Sequence, residues 1–259
     1  MTQQTPWIIT HIPHSSRKIP DDIRDQFIVS DEVLKQQLDI LTDHYTDELF
    51  TVNHPEVVNL KFPVSRFVVD PERFDDDSQE PMAKQGQGVI YMKTTDLKPL
   101  RRSLKETERT ALLNQYYRPH HNQLENLVES ALSAHGKALI IDGHSFPNKP
   151  LAVDLNQQSN RPDICLGTDS FHTPQLLIDE CVELFSHAGF SVEVNQPYAG
   201  TMVPLKYYGK DDRVSSILIE INRRVYLRDE PVDLMRTDGF FKIQQLLRQL
   251  INLSDKNKI

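Results

Sequence analysis

Cysteine is nearly absent from this sequence. Cys165 and Cys181 are the only two in 259 residues; they form no CxxC pair, and no disulfide framework is available to them. Both are expected to be buried and inert. Long apolar runs are missing as well: nothing approaches the roughly 18 consecutive apolar residues of a membrane span, and the N-terminus has no signal-type apolar segment. The expectation is a cytoplasmic chain with no membrane partner. The third absence is an excess of positive charge. Lys plus Arg number 29 against 37 Asp plus Glu, a net charge of −8, and no basic tract stands out, which makes nucleic acid a poor partner. Finally, no linker, repeat or low-complexity tract interrupts the chain, so one domain over residues 1–259 is expected.

What is present is a globular composition, 38% hydrophobic and 25% charged, in which strand, loop and helix signals alternate to the end. That alternation argues for an α/β layer fold. Six short strands are read at Trp7 to Ile12, Val57 to Leu60, Arg66 to Val69, Ala138 to Ile141, Ser191 to Val194 and Ser216 to Ile221. A helix opens at Thr173-Pro174 and closes at Gly189, and another runs through Leu124, Leu127, Val128, Ala131 and Leu132 to Gly136. Upstream of the latter, the stretch from Thr107 to Tyr117 meets Pro119, where a kink or break is expected. The last helix carries Phe240, Phe241, Leu246, Leu247, Leu250 and Ile251. Phe74 to Gly88 and Asn156 to His172 read as long polar excursions.

Two apolar strands run into histidines, Trp7 to Ile12 into Pro13-His14 and Ala138 to Ile141 into Asp142-Gly143-His144. Strand ends face the ligand crevice of an open α/β sheet. A zinc hydrolase needs about three nitrogen or carboxylate ligands and one open position for water; His14, Asp43 and His144 can supply that set, although each histidine alone also reads as a hydrogen-bonded structural residue. Asp43 depends on its helix. One stripe through Leu34, Leu38, Leu41, Tyr45 and Leu49 turns it to solvent, whereas a new helix starting at Thr42-Asp43 points it into a crevice; local signals lean to the second. Asp142 either fixes the His144 tautomer or caps the next turn.

Glu220 lies in the apolar strand Ser216 to Ile221, where a lone carboxylate needs a reason to be buried. A general base at a metal site is one reason, and an ion pair with Arg223 or Arg224 is another. Arg66 and Arg73 can clamp a carboxylate or steady an oxyanion, or can sit in ordinary ion pairs. Asn195, Tyr198 and Gly200 mark a turn able to close over a ligand. Tyr117-Arg118-Pro119-His120-His121 has the setting of a pocket wall, and His44, His120, His121 and His172 are open as substrate contacts, with His121 and His172 the two to watch. Gly143-His144-Ser145-Phe146-Pro147 lacks the closing glycine of a nucleophile elbow, which counts against Ser145 as nucleophile.

Taken together, Pro13-His14-Ser15-Ser16, Thr42 to Phe50, Arg66 to Phe74, Ile140 to Pro147 and Ile219 to Arg223 resemble the N-formylglutamate amidohydrolase family, in the same order along nearly the whole chain. The resemblance implies a three-layer α/β/α sandwich around a mixed sheet, similar to the zinc carboxypeptidases and the succinylglutamate desuccinylase group. It implies Zn2+ or another divalent metal on His14, Asp43 and His144, with Glu220 as catalytic base. Asp70-Pro71-Glu72-Arg73-Phe74 resembles a shortened form of the wider group's Asp-Leu-Asn-Arg-x-Phe segment, which carries Arg73 over as a catalytic or substrate-binding residue. Arg66, His121, Asn195, Tyr198 and Arg223 complete the expected substrate contacts. The implied reaction is hydrolysis of an N-acyl amino acid, most simply N-formyl-L-glutamate to formate and glutamate as in histidine breakdown. The rivals are a deacylase or carboxypeptidase for another substrate, and a noncatalytic ligand-binding relative.

Overall fold

The computed structural model describes residues 5–257. Its centre is a six-stranded sheet of β1 (Ile8–Ile12), β2 (Val57–Lys61), β3 (Ala138–Phe146), β4 (Ile164–Gly167), β5 (Val192–Val194) and β6 (Val214–Asn222), in the order β2-β1-β3-β6-β4-β5. β2, β1, β3 and β6 pair in parallel; β4 pairs antiparallel with β6 and parallel with β5, so the sheet is mixed. The helices are α1 (Asp31–Leu41), α2 (Thr46–Leu49), α3 (Glu106–Leu112), α4 (Arg118–His135), α5 (Gln175–His187) and α6 (Asp238–Asn257), and a small hairpin of β7 (Leu227–Asp229) and β8 (Asp233–Arg236) precedes the last. No helix among the described residues is long and apolar enough to cross a membrane.

Every residue of β1 and of β3 is buried, the pattern of strands with both faces covered. β3 runs further than its apolar stretch. It continues through Asp142-Gly143-His144-Ser145 to Phe146, so His144 sits within the strand and not beyond its end, as the sequence led one to expect. The strand can continue because each polar side chain in it finds a partner, which removes the cost of burying it. Gly143 is there for space: a Cβ would stand 2.5 Å from the Phe50 ring. That ring, just past α2, packs the α1–α2 segment onto β3.

Three other expectations are corrected. Arg66 to Val69 forms a turn and not a strand, with Val68 N donating to Ser65 O; Phe67 enters one satellite apolar cluster while Val68 and Val69 enter another. The stretch from Asn156 to His172 contains β4. Before Pro119 the chain does not break but winds into a π-helical stretch, Leu113–Tyr117, that joins α3 to α4. Pro119 lies in the first turn of α4, where its missing N–H costs no helix bond. Cys165 and Cys181 are buried and unpaired, and burial pushes the Cys165 thiol up to about 12.

Candidate active site

The segment between β1 and α1–α2 brings the first ligand set together. α1 ends at Leu41, the break that the split reading expected, but α2 starts only at Thr46 and not at Thr42-Asp43, so Asp43 falls in the connection between the two helices. Its backbone N–H donates to His14 O (3.0 Å), Thr46 Oγ1 donates to its carbonyl (2.8 Å), and Tyr45 turns the chain with a φ of 62°. Asp43 is thereby pinned beside His14, and its carboxylate reaches β3, where the Ser145 N–H donates to Oδ2 (3.2 Å). Arg223, 1% exposed, donates to Oδ1 (3.2 Å).

His14, Asp43 and His144 converge. His14 Nδ1 and His144 Nδ1 are 3.2 Å apart, and Asp43 Oδ2 lies 3.7 Å from the first and 3.3 Å from the second. A tetrahedral zinc with bonds of roughly 2.0–2.1 Å holds its ligand atoms about 3.3 Å apart. The far nitrogens explain why the near ones face inward: His14 Nε2–H donates to Asp70 Oδ1 (2.8 Å) and His144 Nε2–H donates to Asp142 Oδ1 (3.1 Å). With both Nε2 atoms protonated, neutral imidazoles leave two bare Nδ1 lone pairs and a carboxylate oxygen pointed at one spot. Such a set is reconciled by a shared proton or by a cation. Without a cation the proton goes to His144, whose pKa stands well above the usual range: burial opposes its charge, and Asp142, Asp43 and Glu220 outweigh that. The donor set, its spacing and its carboxylate backing all fit a divalent cation.

The two carboxylates behind the histidines differ in company. Asp70, fully buried, also accepts from Tyr91 Oη (2.6 Å), Arg66 Nη2 (2.9 Å) and the Glu72 N–H (2.9 Å). Asp142 also accepts from His11 Nδ1 (2.8 Å) and the Met202 N–H (3.2 Å). Burial acts against a charge on His11, but Asp142 and Glu72 overcome it and raise its pKa to about 9. Its Nε2–H then donates to His120 Nε2 (2.8 Å), and burial, aided by the His11 charge, holds His120 down at about 2.

Glu220 lies on β6, directly across from His144 on β3, and its Oε2 is buried with no hydrogen-bond partner among the described residues. Burial, with help from Asp43, pushes its carboxyl up to about 8, while His144, Arg66 and Arg223 pull it down. These groups open into a cavity of about 580 Å³ that Arg66, Arg73, His121, Tyr198 and Arg223 also line.

The cavity arginines are committed to different degrees. Arg223 is spent on Asp43, Ser145 and Ile40 O; Arg66 is bonded to Asp70 and to Tyr91 (3.0 Å). Among the described residues the Arg73 Nε has no hydrogen-bond partner; it lies 3.9 Å from both Asp70 and Glu80. His121 faces the cavity but donates to Pro71 O (2.9 Å) and stacks on Tyr117. Tyr198 accepts from Arg161 (3.1 Å). Asn195 is outside the cavity lining, because its amide is used to bond Thr168 twice (2.9 and 2.8 Å). His172 is likewise outside, bonded to Val214 O and Gly209 N, and His44 donates to Asp39 O. His11 and Tyr91 were given no role from the sequence, and Asp70 and Glu72 entered it only as neighbours in the segment that carries Arg73.

A mixed α/β sheet that brings paired histidines, a carboxylate and an unpartnered glutamate to one cavity defines a protein equipped as a hydrolase. The profile of the N-formylglutamate amidohydrolase family matches residues 6–227, and the chain belongs to that family. It is 24% identical over 257 residues to an N-formylglutamate deformylase of Pseudomonas putida, covering 94% of this chain and 90% of that one. It is similar to the crystal structure of an N-formylglutamate amidohydrolase from Ralstonia eutropha, with a TM-score of 0.82, 25% identity, and 96% and 92% of the two chains covered. A gene product of Agrobacterium tumefaciens shares the fold at 16% identity, with a TM-score of 0.69 and 97% and 93% covered.

Proposed function

We propose that this chain hydrolyses N-formyl-L-glutamate to formate and L-glutamate, as a metal-dependent enzyme whose cation, zinc or another divalent ion, is held by His14, Asp43 and His144. The observation that carries the reading is the convergence of two bare Nδ1 atoms and Asp43 Oδ2 at 3.2–3.7 Å beside the unpartnered Glu220 carboxyl. The family membership and the names of the relatives from Pseudomonas putida and Ralstonia eutropha support the substrate. Bound there, the cation supplies Lewis-acid polarisation of the formyl carbonyl and acidifies a water.

The chain's own residues do the rest. Glu220 Oε2, free of other partners, takes a proton from the attacking water and passes it to the departing amine nitrogen as the C–N bond breaks. Arg73, a cavity arginine whose Nε has no hydrogen-bond partner among the described residues, grips a substrate carboxylate. Arg66 adds positive charge to that end of the cavity, while Arg223 holds Asp43 in place. His121 steadies the Pro71 to Arg73 segment, and Asn195 and Tyr198 brace the loop opposite. We read the sheet and its helices as the three-layer α/β/α sandwich of the zinc carboxypeptidases, and place the reaction in the cytoplasm, in histidine breakdown.

Formate release from N-formyl-L-glutamate, followed with and without a chelator, tests the proposal. Glu220→Gln is expected to lower kcat by about 10²–10⁴-fold with the metal content unchanged, the range of a lost general base. Absence of turnover by the metal-loaded protein, or a rate indifferent to Glu220→Gln, would overturn it.

A further inference from the structure

The cavity has two unlike ends, and the sheet order says which is which. On the β1 side stand Arg66 and Arg73, grouped around Asp70 behind His14. His14, just past β1, and His144 on β3 follow, then Glu220 on β6. Beyond Glu220, on the β4 side, the cavity is lined by Val153, Leu155, Pro197, Ala199 and Leu218. The loop bearing Pro197 and Ala199 lies on β4: Cys165, paired with Glu220 in the sheet, donates to Tyr198 O (3.3 Å), and Gly167 meets Gly200 O so closely that a Cβ would stand 2.4 Å from it.

This apolar end is built. Arg161, 2% exposed, donates to Pro147 O, Tyr198 Oη, Asp154 Oδ2 and Asn156 O, and so fastens the loop of Pro147 to Asn156 to the loop of Tyr198. Leu155 at its rim is 64% exposed, so core packing does not account for it. A linear amide with its carboxylates at the arginine end and its carbonyl at the histidines directs its acyl substituent past Glu220 into these side chains. A formyl group has only hydrogen there. The cavity of about 580 Å³ lies within the roughly 300–1,000 Å³ range that takes drug-sized molecules, more than an amino acid with a one-carbon acyl group fills.

We infer that the enzyme also hydrolyses glutamates bearing longer, unbranched aliphatic N-acyl groups, which the apolar end receives. The inference rests on the reaction proposed above and deepens it. The bond changes are the same: water oxygen joins the acyl carbon, the C–N bond breaks, and a fatty carboxylate and glutamate leave. Each methylene buried against this wall is worth roughly fourfold in kcat/KM.

The test is kcat/KM for N-formyl-, N-acetyl-, N-butyryl- and N-hexanoyl-L-glutamate. The expected result is a rise from acetyl to hexanoyl, with the hexanoyl-to-formyl ratio cut at least fivefold by Leu155→Asp and, as a second variant, by Ala199→Asp. Brisk turnover of the formyl compound with rates falling steadily along the series overturns this inference and leaves the formyl reaction standing. Turnover of hexanoyl but not formyl supports the apolar end and overturns the formyl substrate. No turnover of any member overturns both.

Discussion

Two buried carboxylates stand behind the two histidines, and they are neutralised in different ways. Asp70 faces the Arg66 guanidinium and the Tyr91 hydroxyl; Asp142 faces His11, which leans in turn on His120. An arginine cannot discharge inside a protein, whereas an imidazolium can lose its proton. The His14 arm is therefore rigidly charged, and the His144 arm has a group able to adapt. The difference teaches where damage to the site is tolerated and where it is not.

The sharpest way to break the comparison is Asp70→Asn. It leaves Arg66, 14% exposed at its side chain, without its buried counter-charge, and the expected cost is about 3 kcal/mol in chemical denaturation. Asp142→Asn is expected to cost less, about 1–2 kcal/mol, because His11 can become neutral when its partner does. Both variants are expected to weaken zinc binding by about 10–100-fold in a competition titration, since each frees one imidazole to turn. Equal stability losses in the two would erase the distinction.

The smallest effect at neutral pH is in the pH profile. His11 sits at about 9 in the fold against 6.5 for the free side chain, so its stabilising contribution is complete below pH 6.5 and is lost as pH rises through 9. Tm of the wild type is expected to fall across that window, and to fall less in His11→Gln. A profile unchanged by the substitution would remove His11 from the account.

Much of the site was legible because its signals are local. His14 and Glu220 each sit in or just after a recognisable apolar strand, and Asp43 follows a stripe of Leu34, Leu38 and Leu41 that ends where the helix ends. The supporting network was not legible, because its contacts are distant in sequence. His11 meets Asp142 across 131 residues and His120 across 109, and no spacing announces such a pair. β4 was missed for a related reason: four residues flanked by polar loops carry too short a run for periodicity. Conversely, Arg66 to Val69 looked like a strand because three apolar residues in a row fit a buried one equally well, though in the fold they divide between two clusters.

The register between β3 and β6 sets His144 opposite Glu220 in a parallel ladder nine residue pairs long. A slip of one residue would turn either side chain to the opposite face of the sheet. The spacing of the His14–Asp43–His144 cluster and the Glu220 carboxyl is thus a property of the backbone, indifferent to which side chains furnish the rim. Loops around the mouth can be lengthened, shortened or rewritten to change what enters without shifting His144 and Glu220 relative to each other.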